Sequence, residues 1–305
     1  MKKAILTCIL LLFVSQVSQS SPQNATSEII LCGREEVYIL DINRLEGNRP
    51  QKVWSWKAKD RPEIPEAIRG KFGTTDECKS IDGGKKVLVT SSGGGVALVD
   101  RKTGKAQFYA VVEYAHSADI LPGGRVAVAG SDEGDEKGNC LTIFDLRRSN
   151  KPIYSERLFS GHGVVWDNMR QTLWALADEE INAYKLRDWQ TSTPSLTKIA
   201  SYKLPEPGGH DLFPLPSGPM LSTTTYAHCW LFDRDTHKFS PHSDLPNNGW
   251  IKSLMVNPVT GQLAYVKADR GEWWSETLRL LHPQLDIRLP GEWIYKARWV
   301  MDTTH

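Results

Sequence analysis

No charge of one sign prevails in this sequence of 305 residues: 37 Lys and Arg stand against 36 Asp and Glu. The basic excess that binds a nucleic-acid backbone is lacking, so no nucleic-acid partner is expected. No apolar run reaches the ~20 residues that a helix needs to cross a bilayer, so no membrane span is expected. Cysteine is scarce. Five occur, none of them in a CxxC pair, which excludes a disulfide scaffold. Cys32, Cys78, Cys140 and Cys229 read as buried free thiols in strands. No GxSxG, HExxH or paired-carboxylate motif is present. No stretch sustains a 3.6-residue period, so helix content should be very low.

Residues 1–20 read as a signal peptide. Lys2 and Lys3 form a positive start, Ala4 to Val14 an apolar run too short to span, and Ser18 and Ser20 the small residues before a cleavage site. A secreted or periplasmic location follows, with residues 21–305 as one domain.

What the chain does have is repetition. A short apolar strand ending in a polar residue recurs as VYILD (37–41), VALVD (96–100), LTIFD (141–145), INAYK (181–185), CWLFD (229–233) and LRLLH (278–282). Turn formers follow it, as in RKTGK and RDTHK. Each of five full units opens on a different pattern: a polar residue, about six positions, a Pro, Gly or Asn turn, then an alternating strand. HSADILPGGRVAVAG (116–130) and KSLMVNPVTGQLAYV (252–266) are two copies. Strand, turn, strand, loop, strand, turn, strand is a four-stranded antiparallel meander, and a period near 45 is that of a propeller blade.

The two ends are complementary. Residues 28–57 supply three strands without a first strand, and residues 292–300 supply a first strand with nothing after it. Together they make one shared blade, which closes the ring and removes open sheet edges. The expected fold is all-β: a single six-bladed β-propeller of four-stranded antiparallel blades. The long interval that contains PEIPEAIRG (62–70) leaves room for a seventh, although no strand is evident there.

In repeat shape the chain resembles secreted bacterial propellers of the WD40-like and quinoprotein-like type. It lacks the Gly-His and Trp-Asp pair of true WD40 repeats and the tryptophan-docking motifs of quinoprotein dehydrogenases, so no quinone is implied.

Aligning the first strands on their turns superimposes Asp76, His116, His162, His210, Lys252 and Lys296, at steps of 40, 46, 48, 42 and 44 residues. The first strand of a blade lines the central channel, so these six should surround one mouth. His116, His162 and His210 occupy consecutive blades. With Asp76 or Glu77 they form a donor set suited to a divalent metal such as Zn, Mn, Fe or Ni. Lys252 and Lys296 favour an anion. Trp250 and Trp293 precede the two lysines, and Trp273 and Trp274 sit in the loop of the fifth full unit. Indole faces stack on sugar rings and lysines pair with carboxylates or sulfates, a combination that suits an acidic carbohydrate. Inter-blade packing is the competing role for these rings.

Three functions follow. The first is an extracytoplasmic module that binds an anionic carbohydrate at the channel mouth. The second is a metal-assisted polysaccharide lyase. The histidine array resembles that of propeller-fold lyases such as oligogalacturonate lyase. The resemblance implies a metal on the uronate carboxylate, with Lys252 or Lys296 as base and Tyr226 as acid. Such lyases have seven blades, against six here. The third is a protein-interaction scaffold, which needs no histidines at the mouth. Fold alone does not choose among them.

Overall fold

The computed structural model describes residues 27–46, 49–132 and 138–301. Residues 1–20, read above as a signal peptide, lie outside them. β1 (Glu28–Cys32), β2 (Glu36–Glu46) and β3 (Arg49–Lys57) belong to the first blade. The second holds β4 (Thr75–Ile81), β5 (Lys86–Ser91), β6 (Gly95–Asp100) and β7 (Ala106–Val111). The third holds β8 (Ala115–Leu121), β9 (Arg125–Gly130), β10 (Cys140–Asp145) and β11 (Pro152–Arg157). The fourth holds β12 (Gly163–Asp167), β13 (Thr172–Leu176), β14 (Glu180–Arg187) and β15 (Ser195–Lys203). The fifth holds β16 (Asp211–Pro214), β17 (Met220–Thr224), β18 (Cys229–Asp233) and β19 (Phe239–Pro241). The sixth holds β20 (Ile251–Val256), β21 (Leu263–Lys267), β22 (Thr277–Leu281) and β23 (Leu285–Arg288). β24 (Lys296–Trp299) returns to the first blade and pairs antiparallel with β1, Ile29 facing Trp299 and Cys32 facing Lys296.

The six sheets of four strands are those the repeats imply, and the ring closes through its two ends. The segment around 62–70 adds no blade. It forms a four-residue helix, Glu66–Arg69, which seats Ile64, Ile68 and Phe72 against Trp56 between the first two blades.

Blade packing follows from strand alternation. Successive side chains of a strand point to opposite faces. On β5, Val87 and Val89 enter the core shared with the first blade, and Leu88 enters the core shared with the third. A middle strand with a blade on each side is therefore apolar throughout, which explains runs such as KVLVT. The four cysteines among the described residues are free, and Cys32, Cys78 and Cys229 are buried.

The innermost strands β4, β8, β12, β16, β20 and β24 stand side by side around the axis. Each begins with a bulge. In β4, β8 and β20 one extra residue breaks the register, and it is Asp76, His116 or Lys252. In the other three, two successive residues face one partner. The amides of His162, His210 and Tyr295 bond to the carbonyls of Leu176, Thr224 and Cys32, which already oppose Gly163, Asp211 and Lys296. A bulge re-aims a side chain. Here it turns one residue per blade toward the mouth and the next residue down the channel.

Candidate functional site

The mouth opens into a cavity of about 990 Å³. Asp76, His116, His162, His210 and Lys252 line it, as the alignment of first strands implies. Lys296 does not. In the closing blade the bulged residue is Tyr295, so Tyr295 takes the sixth mouth position and Lys296, the next residue, points down the channel.

Below the mouth the channel is plugged by charge. The Arg298 guanidinium spans two carboxylates, with Nε and Nη2 at 2.9 and 3.1 Å from Glu77 and Nη1 and Nη2 at 3.0 and 2.5 Å from Asp211. Lys296 Nζ adds 3.0 Å to Asp211 and 3.4 Å to Glu77. All four groups are buried. Burial alone would raise both carboxyls, but the charges of Arg298 and Lys296 outweigh it and hold Glu77 and Asp211 below the usual carboxylate range. The reverse holds for Lys296: burial opposes its charge, and Asp211 and Glu77 keep it protonated. A lysine held so does not serve as a base at the mouth. The plug makes the channel a funnel with a closed floor.

The three histidines share one local geometry. Nδ1 of His116, His162 and His210 lies 2.7, 3.0 and 2.9 Å from the carbonyl oxygen two residues earlier, on Tyr114, Ser160 and Gly208. Those three residues have left-handed backbone, with φ of 52°, 49° and 87°. Trp250, two residues before Lys252, has it too, at 62°. Bulky residues disfavour this region, at a cost of roughly 1–3 kcal/mol each. Gly208 is confined to glycine for a second reason: a Cβ there would stand 2.1 Å from the Tyr226 ring.

The imidazoles form an arc. Ring centroids are 4.5 Å apart for His116 and His162 and 5.0 Å for His162 and His210. Tyr226 continues it at 4.9 Å from His210, and Trp250 follows at 5.5 Å from Tyr226. Burial, joined by the neighbouring imidazoles, pushes the His162 pKa well below the ordinary value. Burial and the Lys252 charge push His210 down to about 3. Both are neutral at physiological pH.

The charged residues lie on the other side of the mouth, flanking Tyr295. Lys252 Nζ is 5.4 Å from the Trp250 ring and 6.0 Å from the Tyr295 ring. Asp76 accepts the Ser92 amide and has His116 Nε2 at 3.7 Å from its other oxygen. Burial raises the Asp76 pKa, partly offset by His116 and the Ser92 amide.

The tryptophans divide. Trp250 and Trp273 line the cavity and are 54% and 37% exposed. Trp274 and Trp293 do not line it. They stack on each other at 4.5 Å with planes 6° apart, and the Arg34 guanidinium lies 3.4 Å from the Trp293 ring centre. That is packing between chain segments. Tyr226 is on the rim. Among the described residues, no group of three His, Cys, Asp or Glu side chains is arranged to hold a metal ion.

Sequence reasoning missed Tyr114, Tyr295, Ser92 and Asp132 on the cavity wall. Ser92 comes from the Gly-rich turn 91–95, where the short tight connection brings an amide over Asp76. Asp132 begins the acidic stretch 131–139, of which 133–137 lie outside the described residues.

One family model matches the whole chain, residues 1–305. The chain belongs to DUF6528, a family of unknown function. No curated protein matches it. In this DUF6528 chain, then, one closed funnel gathers three imidazoles on one side, a lysine and a carboxylate on the other, and exposed aromatic rings around the rim.

Proposed function

We propose that this protein is an extracytoplasmic propeller that binds an anionic carbohydrate in the funnel. The observation that carries this reading is the placing of exposed aromatics. Tyr114, Tyr226, Trp250 and Trp273 are each more than a third exposed, and all four line the one cavity. Aromatic rings left in water around a concave site offer apolar faces to a sugar ring. Lys252, between the rings of Trp250 and the buried Tyr295, supplies the positive charge for a carboxylate or sulfate. The strained backbone at Tyr114 and Trp250 supports the same reading, because strain is retained where function constrains the chain.

Isothermal titration with oligogalacturonate and with D-glucuronate, against D-galactose as the uncharged control, tests it. Binding of the acidic sugars in preference to galactose is expected. Lys252→Met should weaken the acidic sugar about 10- to 100-fold, the loss of one hydrogen bond to a charged group. Equal binding of galactose, or no binding of any sugar, overturns the reading. Cleavage of the polymer to an unsaturated product would replace it with a lyase.

A further inference from the structure

Folding does not require the histidine geometry. The first and second blades begin their inner strands with the same bulge, yet neither Trp293 nor Thr74, two residues before their mouth positions, has a left-handed φ. The left-handed residue occurs only in the four consecutive blades that carry the histidines and Lys252. In three of them its carbonyl turns onto Nδ1 of the histidine.

A carbonyl oxygen has no proton to give. Nδ1 must therefore carry the hydrogen, and in a neutral imidazole Nε2 is then a bare lone pair. The same tautomer is imposed on His162 and His210, whose rings line the cavity. His116 shares the Nδ1 contact, but its Nε2 lies 3.7 Å from the Asp76 carboxylate. Ser160 and Gly208 are positioning residues: their backbone, not their side chains, fixes which nitrogen accepts.

We propose that His162 and His210 present two fixed Nε2 acceptors that read adjacent hydroxyl donors along one edge of the ligand. The proposal rests on the sugar-binding reading and narrows it. The two rings stack with centroids 5.0 Å apart, so each meets a different hydroxyl. Lys252, in the blade next to that of His210, takes the anionic group. The ligand is then a sugar acid whose consecutive hydroxyls are free, and acylation or methylation of those hydroxyls blocks it. Acceptors reject a group that cannot donate, because the imidazole lone pair has lost its water and gains nothing in return.

Nitrogen-15 spectra of protein labelled at histidine test this directly. The expected result is a protonated Nδ1 and an unprotonated Nε2 on His162 and His210, with their Nε2 signals moving when D-glucuronate is added. The sugar with its hydroxyls converted to methyl ethers should bind at least tenfold more weakly. His162→Gln, which keeps an acceptor, should retain more affinity than His162→Leu, with thermal melting as the check that both fold. Protonation on Nε2, unmoved Nε2 signals while the sugar binds, or equal binding of the methyl ether overturns the proposal. If no sugar binds, the preceding reading falls and the ligand half of this one with it. The spectra without sugar still decide whether the two acceptors are locked.

Discussion

Adjacent tryptophans in one loop have opposite environments, and a single substitution separates them. Trp273 makes edge contacts with Trp293 and Tyr295 at 6.0 and 5.8 Å and presents the rest of its ring to the cavity. Trp274 lies flat on Trp293, whose other face takes Arg34. Trp273→Ala should therefore weaken binding of an acidic sugar and leave the melting temperature nearly unchanged. Trp274→Ala should lower stability by about 1–3 kcal/mol, less than the ~3–5 kcal/mol of a fully buried tryptophan, because its ring is only half-buried. Calorimetric melting of the two variants beside sugar titration checks both. A large loss of stability in Trp273→Ala would assign that ring to packing as well.

At the scale of the strand, the bulge decides what faces where. The order of polar residues along the chain revealed five of the six mouth positions, because a first strand that begins at the channel places its opening residue there. It failed at Lys296, since Tyr295 and Lys296 are adjacent and only the hydrogen bond from Tyr295 to the Cys32 carbonyl tells which is the bulged one. No residue type marks that choice in the sequence. The plug was illegible for a related reason: Glu77, Asp211, Lys296 and Arg298 are far apart in the chain and look like ordinary surface charges until the blades bring them to one axis. Their interdependence has a measurable consequence. Removing one partner of a buried ion cluster strands the others without water. Arg298→Met should cost roughly 3–5 kcal/mol in chemical denaturation. Arg298→Lys should rescue it poorly, since an ammonium cannot fork between two carboxylates as the guanidinium does. An unchanged denaturation midpoint in Arg298→Met would show that water reaches Glu77 and Asp211 and that the channel is open.

The molecule as a whole depends on where its chain ends meet. The repeat length and the complementary ends made the ring and its closure readable, because each blade is a local meander and a missing strand is visible as a missing pattern. β24 is the sole inner partner of β1, and the Val300 amide bonds to the Glu28 carbonyl beside it. Deleting residues 296–305 removes that strand and with it both cations of the plug. The first blade is left with an unpaired inner edge and the channel with two buried carboxylates. An aggregated or unfolded product is expected. The same ends predict what will be tolerated. Joining Met301 to Ser27 through a short flexible linker, and opening the chain between the exposed Ser192 and Thr193, makes the first blade covalently continuous. The fourth blade is then the one shared between termini. Closure by a shared blade is a property of the ring and not of any one blade, so this permutant should fold and keep its near-native melting temperature. A soluble, normally melting truncation would refute the closing role of β24. A permutant that fails to fold would show instead that the first blade must be completed last.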